Sequence, residues 1–168
     1  QSPPGAATDC LSSREVRFTF ADFSTTSFPM QGVIDYLKKN EARFVQELCE
    51  YVRFPSVSAQ PQHRQDLRAC GEWVVKHCKA IGLEARLCAT KGNPIVVAKT
   101  PRAKTQGARR PHFVVYGHYD VQPPEPLDLW KSPPFEPRIA KGALYGRGAS
   151  DNKGQNLAHL KAVEAYLK

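Results

Sequence analysis

Residues 113–154 have the sequence FVVYGHYDVQPPEPLDLWKSPPFEPRIAKGALYGRGASDNKG, and chemically informative side chains lie at both ends of it. The run at 113–117 is apolar and rich in β-branched and aromatic residues, which predicts a buried strand. Side chains alternate along a strand, so His118 and Asp120 should share one face where that strand leaves the sheet. A glycine-rich turn at the other end presents Asp151. An imidazole with carboxylates is a ligand set of zinc and similar divalent cations, so the segment predicts a metal site.

Hydrophobic periodicity predicts the elements on either side. Helical spacing indicates one helix over Val33–Val52 and a second over Arg64–Ile81, with Gly82 as its C-terminal cap. Strands are predicted over 83–89 and 94–100, a short hairpin over 138–145 and a last helix over 153–168. Six prolines exclude regular structure from the loop at 121–137. This order favours an α/β domain in which helices cover a mixed sheet.

Length and composition are consistent with one folded domain preceded by a different kind of segment. The chain has 168 residues, 41% of them hydrophobic, which is enough for a sizeable core. Residues 1–29 are rich in Ser, Thr and Pro and show no structural period. The single methionine, Met30, comes directly before the first periodic segment. We therefore expect 1–29 to be a non-native leader or disordered arm and the folded domain to comprise 30–168.

The net charge of +8 raises the question of a nucleic-acid partner. Four basic residues and no acid lie in 101–111, PRAKTQGARRP, so half of the excess belongs to one loop. A basic binding module that uses 101–111 is the alternative, but a solvated loop explains the charge, and we expect no nucleic acid as partner.

Cysteine usage and hydropathy indicate the cellular setting. Five cysteines form an odd set without close pairs, which favours a reducing, cytoplasmic environment. No apolar run is long enough to span a bilayer, so no membrane association is expected.

Each candidate residue also has a structural interpretation. A single histidine at the end of a strand is more often structural than a ligand, and Asp151 alone would most often cap the helix that follows it. The glycines around Asp151 lack the spacing of a phosphate-binding loop. No GxSxG or SxxK arrangement supports a serine nucleophile.

The combination of motifs is more specific than its members. GHYDVQP, LWKSPPFEP and GALYGRGASDNKG occur in this order, and the opening helix VIDYLKKNEARFVQELCEYVRFPSVS precedes them. Together they resemble the di-zinc metallopeptidase family of carnosinase, aminoacylase, acetylornithine deacetylase and glutamate carboxypeptidase, and most closely its dipeptidase branch. The resemblance covers about residues 30–168. It implies a three-layer αβα zinc-peptidase-like catalytic domain, here incomplete at the C-terminus.

The resemblance also implies roles for individual residues. His118 matches a terminal ligand of one zinc, Asp151 matches the carboxylate between the two zincs, and Asp120 matches the catalytic-site residue that orients the imidazole. The peptide bond between Asp151 and Asn152 is a candidate for the cis form. Two Zn²⁺ ions are expected per complete site, and Mn²⁺ or Co²⁺ share the same ligand preferences.

The implied activity is hydrolysis of the amide bond of dipeptides or N-acyl amino acids by the full-length parent protein, with a homodimer expected for that parent. The general base and the remaining ligands of the family have no counterpart here, because Glu164 is the only acid after Asp151 and lacks the paired-glutamate context. We therefore expect the fragment itself to be inactive. A catalytically dead family member is the second alternative.

Overall fold

Four helices and two strand pairs make up the part of the chain that the computed structural model describes, residues 30–101 and 113–168. The helices are α1 (Met30–Lys39), α2 (Glu41–Val52), α3 (Arg64–Ala80) and α4 (Gly154–Leu167). The strands are β1 (Glu84–Cys88), β2 (Ile95–Lys99), β3 (Arg138–Ala140) and β4 (Ala143–Tyr145). The predicted α/β class is confirmed. The expectations for residues 1–29, and for all the basic side chains of 101–111, fall outside the described residues.

The first predicted helix is two helices, so the expectation of one continuous helix over Val33–Val52 was wrong. The break lies at Asn40, whose side-chain amide donates to the carbonyl of Tyr36 at 2.8 Å. The side-chain oxygen Oδ1 of Asn40 also accepts a hydrogen bond from the Arg43 guanidinium at 3.1 Å. Such local bonds compete with helical ones, and apolar spacing does not report them. The predicted end is confirmed, since α2 stops at Val52, before the proline at position 55.

Helix α3 ends as its sequence predicts. Gly82 has φ +95°, the left-handed conformation typical of the residue after a helix. The amides of Gly82 and Leu83 donate to the carbonyls of Lys79 and Cys78, which satisfies the last turn. The chain then enters β1, which pairs antiparallel with β2 from Glu84 opposite Lys99 to Cys88 opposite Ile95.

The predicted buried strand at 113–117 is not paired with any other strand of the described chain. Its side chains are exposed, with Val114 at 94% and Phe113 at 85% of full accessibility. Apolar side chains indicate that a segment suits a sheet, but the ladder needs a neighbour to exchange hydrogen bonds with. Strand β1 already pairs with β2, and β3 pairs with β4. Among the described residues there is accordingly no single mixed sheet but two antiparallel pairs.

The hairpin and the loop before it agree with the sequence. Strand β3 pairs antiparallel with β4 through a two-residue turn in which Lys141 and Gly142 both have positive φ, 52° and 75°. The proline-rich loop at 121–137 is irregular apart from one short 3₁₀ turn, Leu127–Leu129. The loop therefore extends from His118 and Asp120 to the hairpin that precedes Asp151.

The core joins the ends of three helices. Its buried members come from α2, α3 and α4 and are Tyr51, Cys70, Val74, Cys78 and Leu157. The Tyr51 ring also stacks on Trp73, with 4.7 Å between ring centroids. Burial of these side chains fixes the C-terminal end of α2 beside the start of α4.

The described cysteines, Cys49, Cys70, Cys78 and Cys88, are free. Burial raises the pKa of the Cys70 thiol and of the Cys78 thiol. In the described part of the chain, no helix combines the length and the apolar character needed to cross a membrane.

Candidate metal centre

His118 and Asp151, although 33 positions apart, meet in the folded chain. The Nε2 atom of His118 lies 3.0 Å from Oδ1 of Asp151. On the other side of the ring, Nδ1 lies 3.0 Å from the backbone oxygen of Asp120 and 3.3 Å from its carboxylate Oδ1. All three residues that the sequence singled out are thus brought together, and His118 and Asp120 are neighbours as strand periodicity predicted.

The environment of the His118 ring assigns different tasks to its two nitrogens. Two acceptor oxygens of Asp120 face Nδ1 and one oxygen of Asp151 faces Nε2, so in the neutral ring we place the proton on Nδ1, which leaves Nε2 as the nitrogen available to a cation. Partial desolvation opposes the charged ring. The hydrogen bonds to Asp120 and Asp151 outweigh this effect and raise the pKa of His118. The Asp151 side chain is 80% exposed, so the Nε2 lone pair lies at a surface that a cation can reach.

The Asp151 turn, defined here as residues 146–153, shapes the second half of the site. It begins with a left-handed residue, Gly148 at φ +80°, and the peptide bond between Asp151 and Asn152 is cis, as the family resemblance implied. The side-chain oxygen of Asn152 accepts a hydrogen bond from the backbone amide of His118 at 3.3 Å. Asp151 makes no capping bond to α4, which leaves its carboxylate directed at His118.

Lys153, the last residue of this turn, is fully buried. Its ammonium group donates to the backbone carbonyls of Tyr51 at 3.0 Å and Phe54 at 2.7 Å, at the C-terminal end of α2. A cation at this end of a helix is favoured by the helix dipole. Burial lowers the pKa of Lys153 to about 8. Sequence analysis missed this contact because a lysine beside a glycine-rich turn suggests a solvated side chain.

Two serines of the loop after α2 were also missed. Ser58 Oγ donates to Oδ2 of Asp120 at 2.5 Å, and Ser56 Oγ donates to the backbone oxygen of Tyr119 at 2.6 Å. An isolated parallel bridge between Val57 and Val121 joins the same two segments. The only sequence signal was the position of PSVS directly after a predicted helix end.

The donor set fits part of a divalent metal site. His118 and Asp151 supply an imidazole nitrogen and a carboxylate oxygen at one point, with Asp120 behind the ring. Within residues 30–101 and 113–168, however, no three His, Cys, Asp or Glu side chains are grouped closely enough to enclose an ion. The described residues therefore provide two candidate ligands, whereas a closed zinc site requires four.

An α/β fold with an imidazole and a carboxylate converging on one point is typical of metal-dependent hydrolases. Residues 114–168 match the sequence profile of the peptidase family M20/M25/M40, and this segment contains all three candidate residues. The chain is 38% identical over 98 residues to a succinyl-diaminopimelate desuccinylase of Dechloromonas aromatica, over 58% of this chain and 24% of that protein. It is 30% identical over 159 residues to the Cys-Gly metallodipeptidase DUG1 of Candida albicans, over 86% of this chain and 33% of that protein.

Solved structures agree with these relatives. Human carnosine dipeptidase 1 superimposes with a TM-score of 0.70 at 30% identity, over 82% of this chain and 31% of that one. The dipeptidase Dug1p of Saccharomyces cerevisiae gives 0.73 at 22% identity with the same coverage and supports the fold. By this profile match and these relatives the chain is similar to M20/M25/M40 peptidases, and it spans a third or less of the length of these relatives.

Proposed function

We propose that the protein containing this chain hydrolyses the amide bond of dipeptides or N-acyl amino acids with the help of divalent metal ions, with zinc as the preferred ion. His118 and Asp151 are the proposed ligands in this segment, and Asp120 orients His118. The observation that supports the proposal best is the distance of 3.0 Å between His118 Nε2 and Asp151 Oδ1, combined with the hydrogen bond between His118 Nδ1 and the backbone oxygen of Asp120. The names of the relatives supply the substrate classes, a dipeptide and an N-succinyl amino acid.

The bound metal would lower the pKa of a water molecule and polarise the scissile carbonyl. The residues of this chain would position the ligand atoms for that metal. Asp120 accepts a hydrogen bond from the Nδ1–H group of His118 and so keeps the Nε2 lone pair available. Asp151 directs one carboxylate oxygen at His118 and has a second oxygen available, as a bridging ligand needs. Glu164 is unsuited to the role of base because its carboxylate already accepts hydrogen bonds from Tyr36, Arg43 and Lys161.

For the isolated chain we propose metal binding without hydrolysis, because residues 30–101 and 113–168 supply two candidate ligands and no candidate general base. The free thiols of the described residues are in keeping with a reducing, cytoplasmic location, which we propose for the whole protein. We also propose that the whole protein forms a homodimer.

The decisive test uses the longest natural polypeptide that contains residues 30–168. We expect it to hydrolyse a dipeptide or an N-acyl amino acid, to lose activity with a chelator and to regain activity with Zn²⁺. His118→Ala and Asp151→Ala should each lower kcat/KM by about a thousandfold or more, which corresponds to about 4 kcal/mol of transition-state stabilisation.

The matched control is His63→Ala, because His63 also pairs with an aspartate, Asp66, at 2.8 Å but lies outside the site. It should leave kcat/KM unchanged. Zinc binding at His118 without hydrolysis of either substrate class would instead identify a catalytically dead family member. Zinc-dependent hydrolysis by the purified 168-residue chain would contradict the proposed inactivity of the fragment.

A further inference from the structure

Two segments of the candidate site converge on one stretch, Tyr51–Ser58, which we call the support segment. The Asp151 turn reaches it through Lys153, whose buried ammonium group binds the carbonyls of Tyr51 and Phe54. Residues 119–121 reach it through the parallel bridge and through the hydrogen bond from the Val121 amide to the carbonyl of Ser56 at 2.9 Å. The support segment thus fixes the backbone on both sides of the site.

Ser58 is the member of this segment that contacts a functional side chain. Its hydroxyl binds Oδ2 of Asp120 at 2.5 Å, while the other oxygen, Oδ1, faces Nδ1 of His118 at 3.3 Å. The Asp120 backbone oxygen is the nearer partner of Nδ1, at 3.0 Å, and the carboxylate adds a second contact through Oδ1 while Ser58 binds Oδ2. A bond to Oδ2 restricts rotation of the carboxylate about its last side-chain bond, and this rotation decides whether Oδ1 stays opposite the imidazole.

Exposure makes this restraint necessary. The Asp120 side chain is 40% exposed, so packing alone leaves the carboxylate free to turn toward water. Ser56, two residues earlier, differs from Ser58 in its partner. Its buried hydroxyl binds the backbone of Tyr119 and not a side chain of the site. The loop therefore contains one serine that supports backbone and one that supports Asp120.

We propose that Ser58 is a positioning residue of the metal centre, which acts through Asp120 to hold the His118 imidazole with Nε2 directed at the cation. This inference rests on the proposed role of His118 and Asp151 as metal ligands. Residues that hold the partner of a metal-bound histidine typically change metal affinity by about 10–100-fold when removed.

The experiment is a Zn²⁺ titration of the 168-residue chain followed through the ring nitrogen resonances of His118, which report this site even if zinc also binds at cysteines. Ser58→Ala should raise the zinc Kd about tenfold. Ser58→Thr keeps the hydroxyl and should stay within about threefold of the unaltered chain. Ser56→Ala should lower the denaturation midpoint and raise the Kd less than Ser58→Ala does, because its hydroxyl binds the backbone of Tyr119 and not Asp120.

A double-mutant cycle with Asp120→Asn tests whether Ser58 influences zinc affinity through Asp120. If Ser58 acts through Asp120, adding Ser58→Ala to Asp120→Asn should raise the Kd no further. The proposal is overturned if Ser58→Ala binds zinc like the unaltered chain, if Ser56→Ala weakens binding equally, or if the two effects simply add. If Zn²⁺ does not shift the His118 resonances of the unaltered chain, both the proposed metal site and this inference are overturned. The other negative outcomes overturn the role of Ser58 alone.

Discussion

At the scale of single residues, Gly148 is the position where the site tolerates least change. Its φ of +80° is unfavourable for any residue with a side chain. A Cβ added there would also overlap the side chain of Val121, which lies one residue after Asp120. The start of the Asp151 turn thus packs directly on the segment that contains His118 and Asp120.

Gly148→Ala should lower the free energy of unfolding more than Gly142→Ala does. Gly142 has a similar φ of +75°, but a Cβ there would meet nothing within 4 Å. The backbone conformation alone should cost about 1–2 kcal/mol at both positions. The overlap at Gly148 should add about 1–3 kcal/mol. Urea denaturation of the two variants measures the difference, and equal losses would show that the packing against Val121 is not important.

The residues of the site differed in how far sequence could predict them. His118, Asp120 and Asp151 could be proposed from sequence because their residue types and motifs are themselves the chemical signal, and the structure brings the three side chains together. Ser58 and Lys153 were not, because their partners lie 62 and about 100 positions away in the chain. A serine or lysine has no preference that indicates which distant group it will bind.

At the scale of elements, a buried ionic cluster joins α1, α2 and α4. Glu164 accepts hydrogen bonds from Arg43 at 2.5 Å, Lys161 at 2.8 Å and Tyr36 at 2.8 Å, and Lys161 also pairs with Glu47. The Lys161 and Glu164 side chains are 6% and 5% exposed. Each buried charge thus depends on its partners, so removal of one is costly.

Glu164→Gln should destabilise the chain at neutral pH by about 1.5–3 kcal/mol, because it weakens the charged hydrogen bonds of Lys161 and Arg43, which both keep Glu47 as a second partner. Burial opposes the ionised form of Glu164, but its three hydrogen bonds outweigh this effect and lower its pKa from the usual 4.5 to about 2. The stability contributed by a carboxylate with a lowered pKa is present above the usual value and is lost as pH falls through the lower one.

Thermal unfolding from pH 7 to pH 2 tests this expectation. The gap between the unaltered chain and Glu164→Gln should narrow between about pH 4.5 and pH 2. Glu72→Gln is the control, because Glu72 forms an exposed pair with Arg68 within α3 and should change stability by less than about 0.5 kcal/mol. A gap that does not depend on pH would show that ionisation of Glu164 contributes nothing.

Hydrophobic spacing predicted some features of the helices and strands and missed others. Spacing predicted the end of α2, the cap of α3 and the β3 and β4 hairpin, because local residues such as Gly82 and Gly142 determine them. Spacing missed the break at Asn40, which depends on a side chain that bonds to the backbone. It also could not show whether the strand-like run at 113–117 has a neighbour.

At the scale of the whole molecule, the run 113–116 is the most prominent exposed apolar segment of the described residues. Its four side chains are between 58% and 94% exposed, in an extended stretch that pairs with no strand among the described residues. Exposed apolar edges of this kind promote association with other chains.

Val114→Lys should therefore reduce self-association of the purified chain, because a charge on an exposed edge opposes strand pairing. Leu129→Lys is the comparison, since Leu129 is also exposed, at 75%, but lies in the irregular proline-rich loop. Sedimentation velocity across a concentration series measures the effect. Equal behaviour of the two variants would show that general hydrophobicity, and not the strand-like run, drives association.

The anchorage of Lys153 has a consequence for the order in which the chain folds. The carbonyls that it binds belong to Tyr51 and Phe54, so its contacts close a loop of about 100 residues. Contacts of such high sequence separation form late, because the entropy of closing the loop must be overcome before they contribute. On a ribosome, α2 would emerge long before its last carbonyls could meet this lysine. The candidate metal centre is therefore expected to be among the last parts of the described fold to become ordered during synthesis.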